Sequence, residues 1–268
     1  MAVGELLDAA VGVLKARPRA VLTITAAFVL PAQLAVAVVQ RDVLASASFT
    51  EIFNDPSLAG TSNTGSTTSP GLILLVSLLP SLVLPFVAGA LGRLVAAWRA
   101  GGDMGAGAAM RAAGRKWWVL LVAWLLTHLA EGVAMVAFFV PAILLMALWQ
   151  VAAPAIVVED LGPIAGLRRS GRLAMTNFWP VVLAVLGAGF VHYVLNAMLP
   201  LLTQLIGTAM GADGGWIVLS IGNLLTSLVT TAFLAAFAVV LYLDLRVRSE
   251  GLDLQLEADR HFSGAAPA

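Results

Sequence analysis

Apolar and charged residues fall in separate blocks along this chain. Residues 20–40, 71–91, 181–202 and 216–242 contain no Asp, Glu, Lys or Arg, and residues 117–158 contain only Glu131. A helix crosses a bilayer core of about 30 Å with about 20 mainly apolar residues, each rising about 1.5 Å. The four charge-free blocks each hold one such helix. The block from Trp117 to Val158 is long enough for two, with a break expected near Phe138 to Pro141. A re-entrant pair there would give the same pattern. The fold class predicted is all-α: a polytopic membrane protein with spans at about 20–40, 71–91, 117–137, 141–158, 181–202 and 216–242. These form one membrane domain over residues 1–262, followed by a disordered tail at 263–268.

The segments between the blocks carry a second pattern. GELLDAAVGVLKARPRA precedes the first span, with Leu7, Val11 and Leu14 on one helical face and Glu5, Asp8, Gly12 and Lys15 on another. Acid at its start and base at its end suit the helix dipole. DMGAGAAMRAAGRKWW precedes the third span in the same acid-to-base order. Before the fifth span, Pro163 starts a short helix that sets Ile164, Leu167 and Gly171 on one face and Arg168, Arg169 and Arg172 on others. Phe178 and Trp179 follow, as aromatic residues do at a membrane interface. Each segment is therefore expected to be a short amphipathic helix lying in the interface, its arginines toward phospholipid headgroups. The plan, an interfacial helix and then a two-span hairpin, is repeated three times.

Charge then sets an orientation. Of the 15 lysines and arginines, only Arg41 falls on one side of the predicted spans. The N-terminal segment, the second-to-third connection, the Arg168 segment and the C-terminal tail share the rest. Basic residues concentrate in cytoplasmic segments, so both termini are expected in the cytoplasm. Glu5 and Asp8 stand where a cleavable signal peptide would be basic, so the first span is expected to be retained. Only 11% of the 268 residues are charged and 60% are hydrophobic, against about 25% charged in soluble proteins. Net charge is zero and there is no cysteine. This composition gives no reason to expect nucleic acid as a partner, and it excludes thiol chemistry. The outer segment 41–70, with SLAGTSNTGSTTSP, buries too little apolar area to order itself.

Chemistry-bearing groups inside the spans are few. His128 and Glu131 lie three apart in the third span, and His192 and Asn196 four apart in the fifth. Such groups face other helices or a polar cavity, because lipid solvates them poorly. They suit hydrogen-bonded packing between helices, a proton or solute path, or a metal site with His128, Glu131 and His192 as ligands. The sequence leaves these alternatives open. There is no HExxH, no P-loop and no GxSxG, so no catalytic residue, cofactor or metal is assigned. Gly187 and Gly189 suggest close helix packing, and Pro80 and Pro85 a kinked second span. In the tail, Leu252, Leu254 and Leu256 alternate with Asp253, Gln255 and Glu257. That suits a strand that pairs with a membrane or cytoplasmic protein, or a solvated tail on the protein's own face.

Three segments in order carry a family resemblance: GELLDAAVGVLKARPRA, PAIVVEDLGPIAGLRRSGRLAMTNFW and LYLDLRVRSEGLDLQLE. They resemble the bacterial membrane family labelled glycerophosphoryl diester phosphodiesterase membrane domain, the last segment in its actinobacterial form. Gly171 stands where that family's signature leads one to expect an aromatic residue. In fused relatives the hydrolysis belongs to a separate soluble barrel, which takes about 200 residues or more and has acidic and histidine metal ligands. The resemblance thus implies a bacterial cytoplasmic membrane protein without phosphodiesterase activity of its own. The expected function is a non-catalytic accessory or scaffold protein in contact with the lipid bilayer. The alternative is a transporter of a small solute or lipid built on the intramembrane polar residues.

Overall fold

The computed structural model describes residues 2–44, 69–137, 139–210 and 214–252. The outer segment and the alternating tail lie almost wholly outside these residues. No strand occurs among the described residues. The helices in chain order are α1 (Val3–Ala16), α2 (Pro18–Leu44), α3 (Pro70–Ser77), α4 (Leu79–Arg99), α5 (Ala106–Arg115) and α6 (Trp117–Ala137). They continue as α7 (Phe139–Trp149), α8 (Ala152–Val158), α9 (Pro163–Met175), α10 (Phe178–Met198), α11 (Leu201–Met210) and α12 (Gly215–Glu250).

Six stretches are long and apolar enough to cross a membrane: Pro18–Val39, Leu79–Arg99, Trp117–Val136, Val140–Val158, Phe178–Met210 and Gly215–Glu250. The chain is therefore an all-α, multi-pass membrane protein. Large apolar side chains on these helices face outward, with Val136 91% and Val133 72% exposed. Outward apolar surface of this extent suits lipid.

Prolines decide where the apolar blocks break. The sequence places the second span at 71–91, whereas the long helix there runs from Leu79 to Arg99. Pro80 has no N–H to continue the ladder from α3. Leu78 closes that helix by donating its N–H to the Leu75 carbonyl at 3.2 Å. The fourth span is not one regular helix either. Pro154 cannot bond the carbonyl of Gln150, and α7 gives way to α8 at Gln150 and Val151. Pro200 likewise separates α10 from α11.

Two compact units divide the chain. The first comprises residues 1–24, 85–189 and 233–268, and the second residues 25–84 and 190–232. In the first, α9 packs against α6, α7 and α8. The face of α9 that packs is only partly the apolar stripe Ile164, Leu167 and Gly171: Leu167 packs against the core of Leu120, Ile156 and Val157. Ile164 is 57% exposed, and the buried positions are Gly166, Ser170, Leu173 and Ala174. Small residues win because they allow close approach: a Cβ on Gly166 would overlap the Ile156 side chain of α8. The same device joins α4 to α8, where a Cβ on Gly89 would come within 2.6 Å of Val157 Cγ2.

Gly187 also serves close packing, since its Cβ would stand 3.0 Å from Val3 Cγ1 of α1. Gly189 does not, because no atom lies within 4 Å of a Cβ built there. In the second unit, Gly222 and Gly215 of α12 meet Thr203 and Gly207 of α11. The Gln33 side-chain amide donates to Ser227 Oγ, joining α2 to α12.

Candidate functional site

The connection from α8 to α9 is built residue by residue. Helix α8 ends at Val158, and Asp160 then takes a left-handed φ of 57°. The Leu161 N–H returns to the Ile156 carbonyl at 3.0 Å, which is the helix-closing arrangement that such a φ permits. Lys116 of the α5–α6 junction locks the turn. Its Nζ lies 2.7 Å from Asp160 Oδ1 and donates to the Asp160 carbonyl at 3.2 Å. The Lys116 hydrogen bond and charge hold the Asp160 carboxyl below the usual carboxylate range. Gly162 then caps α9 and Pro163 opens it, the position where the missing proline N–H costs nothing. Ser170, fully buried, donates its hydroxyl to the Leu148 carbonyl at 2.7 Å. That carbonyl belongs to the last turn of α7, where helices leave their acceptors unpaired.

This turn aims Glu159 at Arg169. Arg169 Nε donates to both Glu159 oxygens, at 2.8 and 3.0 Å, and Nη1 pairs with Glu250 of α12. Tyr242, wholly buried, donates its hydroxyl to Glu159 Oε1 at 2.8 Å. Arg246 donates from Nε to Glu250 at 2.9 Å, and its guanidinium also stands over the Tyr242 ring. Two regions distant in sequence, residues 159–169 and 242–250, thus share two carboxylates and two guanidinium groups, which balance in charge. The Arg169 side chain is only 15% exposed. Its pKa is raised by the Glu250 hydrogen bond, then by Glu159, against the lowering effect of burial. It is a permanent cation committed to internal partners.

Arg168 and Arg172 have a different setting. Both are exposed, and neither makes an ion pair or hydrogen bond with a described residue. They line a cavity of about 980 Å³ beside α9, together with Glu159 and Arg169. Leu161, Ala165 and Met175 supply apolar wall, and Gly171, where a Cβ would meet no atom within 4 Å, also lines it. All three sequence-predicted arginines therefore meet at one cavity, with unequal roles.

The intramembrane residues are placed otherwise. His128 and Glu131 belong to the first compact unit, and His192 and Asn196 to the second. His128 Nδ1 lies 3.0 Å from the Trp124 carbonyl of its own helix, and its ring stacks on Trp124 at 4.6 Å. No hydrogen bond joins His128 to Glu131 among the described residues. Asn196 Nδ2 donates to the His192 carbonyl at 2.9 Å and lies 3.2 Å from the His192 ring nitrogens. Among the described residues, no three His, Asp or Glu side chains are grouped so as to hold a metal ion.

Sequence reasoning missed Glu159, Ser170, Tyr242, Arg246 and Glu250. A partial signal was present. Glu159 and Tyr242 each end an apolar block, and Arg246 and Glu250 sit four apart on one helix. Nothing in the sequence pairs Glu159 with Tyr242, 83 residues away.

Residues 126–245 match the family model described as a domain of unknown function, DUF7847. The matched region includes α9, its cavity, Glu159 and Tyr242. No curated protein and no solved structure matches the chain.

Proposed function

We propose that this protein is a non-catalytic accessory or scaffold protein of the bacterial cytoplasmic membrane, with both termini and α9 on the cytoplasmic side. The observation that carries the reading is how the polar groups are used. His128 and Asn196 hydrogen-bond within their own helices. Thr208, Ser220 and Thr230 likewise donate to carbonyls of their own helices. The ionic groups around Arg169 close on one another. A solute path needs polar groups held open for a passenger, and these are spent on the fold.

Orientation rests on the crowding of basic residues into one set of segments. The likeness to the glycerophosphoryl diester phosphodiesterase membrane domain supports an accessory role, since the catalytic barrel is a separate part there. Lipid is the surrounding partner, and the C-terminal tail is the segment proposed to meet a membrane or cytoplasmic protein.

The decisive experiment is complementation of a deletion phenotype by a quadruple variant, His128→Ala, Glu131→Gln, His192→Ala and Asn196→Ala. Full complementation is the expected result. A variant that folds normally but does not complement overturns the accessory reading in favour of a transporter. That second reading draws on Glu131, an ionisable group in a span with no hydrogen bond to another described residue. Orientation is tested separately. The chain has no cysteine, so one introduced thiol is the only one. A membrane-impermeant maleimide applied to intact spheroplasts should label Ser62→Cys and leave Gly105→Cys and Gly162→Cys unlabelled until lysis. Labelling of Gly105→Cys or Gly162→Cys before lysis overturns the topology.

A further inference from the structure

The cavity beside α9 is not accounted for by an accessory role. We infer that it is a binding site for the phosphate ester of an anionic lipid headgroup, held by Arg168 and Arg172. Three observations converge. Charge is the first. Glu159 and Arg169 neutralise each other at 2.8 Å, so the formal excess at the cavity is the two charges of Arg168 and Arg172. Exposed cations four residues apart on one helix face repel each other, and an anion between them removes that repulsion. Guanidinium groups present paired N–H donors that match phosphate oxygens, and such charge-assisted bonds are among the stronger ones.

Shape is the second. A cavity of about 980 Å³ far exceeds a bare phosphate and falls at the upper end of ligand sites, which run to about 1,000 Å³. Its walls at Leu161, Ala165 and Met175 are apolar. That combination fits an amphiphile, with the phosphate on the arginines and the glycerol and upper acyl chain on the wall. The third observation is rigidity. Arg169, Ser170 and Gly166 anchor the inner face of α9 to α12, α7 and α8, so the two free arginines project from a fixed support.

Arg169 is a positioning residue here. Its charge is already committed, and it holds α9 in place rather than contacting the headgroup. The inference rests on the proposed placement of α9 on the cytoplasmic side of the membrane but not on the accessory role. Labelling of Gly162→Cys tests that placement by itself, and the binding test below is carried out in detergent.

Full-length protein in dodecyl maltoside is titrated calorimetrically with dihexanoyl phosphatidylglycerol, dihexanoyl phosphatidylcholine or inorganic phosphate, each lipid below its micellar concentration. Saturable binding of phosphatidylglycerol at one site is expected. Phosphatidylcholine should bind at least about tenfold more weakly, because its choline cation meets two arginines. Arg168→Gln and Arg172→Gln should each weaken phosphatidylglycerol binding about tenfold, the loss of one charge-assisted contact. Arg168→Lys should weaken it less, since the charge stays and the fork is lost. Gly171→Leu keeps every charge and meets no atom within 4 Å at its Cβ, yet it sets a bulky apolar side chain in the lining beside both arginines and should weaken binding. Arg168 and Arg172 are exposed and unpaired, so the arginine variants should keep the wild-type melting temperature and helical content, and Gly171→Leu should not lower them. Unchanged binding by the Arg168→Gln/Arg172→Gln double variant, or no saturation by wild type, overturns the site. Inorganic phosphate binding as tightly as phosphatidylglycerol overturns the assignment to a lipid.

Discussion

The two compact units hold their helices together by different means. The ion pairs between described side chains lie in the unit formed by residues 1–24, 85–189 and 233–268, and the described side chains of the other unit include no Asp, Glu, Lys or Arg. The unit of residues 25–84 and 190–232 relies on glycine contacts between α11 and α12 and on the neutral Gln33–Ser227 hydrogen bond. The difference follows from solvation. A charge inside a bilayer is poorly solvated and rare, so helices there are joined by close approach of small residues and by neutral hydrogen bonds. Where charges are admitted, they are paired and hydrogen-bonded from several elements at once. Arg169 shows the second regime, with contacts from α8 and α12. Gln33 shows the first, bonded to Ser227 of α12.

The largest expected effect lies in the ionic unit. Arg169→Met leaves Glu159 and Glu250 short of a partner in a largely enclosed site. It should destabilise the protein by about 3 kcal/mol, the scale for breaking one partner of a buried pair. The double variant Arg169→Met/Glu159→Gln should recover more than half of that, because Glu250 keeps Arg246. Thermal unfolding in detergent, followed by circular dichroism, reads both. A double variant no better than the single one would mean that Glu159 is not the stranded group.

Next come the glycine contacts of the other unit. A Cβ at Gly215 meets the Gly207 backbone, which cannot turn aside as a side chain can. Gly215→Ala should cost on the order of 2 kcal/mol, as overpacking does. Gly189→Ala meets nothing and should gain up to about 1 kcal/mol from helix propensity. The same melting experiment compares them, and equal effects from the two would remove the packing argument.

A smaller effect is expected from Ser227→Ala. It breaks the one hydrogen bond described between Gln33 and α12 and should cost about 0.6 kcal/mol, the average for such bonds between membrane helices. Gln33→Ala combined with Ser227→Ala should then cost less than the sum of the single variants.

The smallest effect belongs to Asp160, which is exposed. Its folded pKa is lowered by Lys116. Its contribution is therefore complete above the unfolded carboxylate value, about 3.9, and is lost as pH falls through the lower folded value. The difference in melting temperature between wild type and Asp160→Asn should stay constant from pH 8 to pH 5 and shrink below about pH 4. A difference that changes between pH 5 and pH 8 would assign it to another group. Asparagine is the suitable replacement because it tolerates the left-handed φ of 57°.

Much of this architecture was legible in the chain itself. Five apolar blocks, one of them long enough for two spans, gave six helices long enough to span, because hydropathy and length are local properties that a bilayer reads directly. Short helices before the first, third and fifth spans were legible for the same local reason: basic residues in the last turn of each, acid ahead of them in the first two segments, and proline at the start of the third. The sequence also marked Arg168, Arg169 and Arg172 as a group. It did not distinguish Arg169, committed to Glu159 and Glu250, from its neighbours that face the cavity. That division depends on Tyr242 and Glu250 arriving from a helix more than 70 residues away, and no local pattern encodes the arrival. The packing face of α9 was likewise decided in three dimensions. An apolar stripe predicts burial only where the neighbouring surface can receive bulk, and here Ile156 and the end of α7 receive Gly166 and Ser170, with Leu167 beside them, and leave Ile164 exposed. Composition determined that the chain enters a membrane; helix contacts decided which of its few charges are structure and which are free.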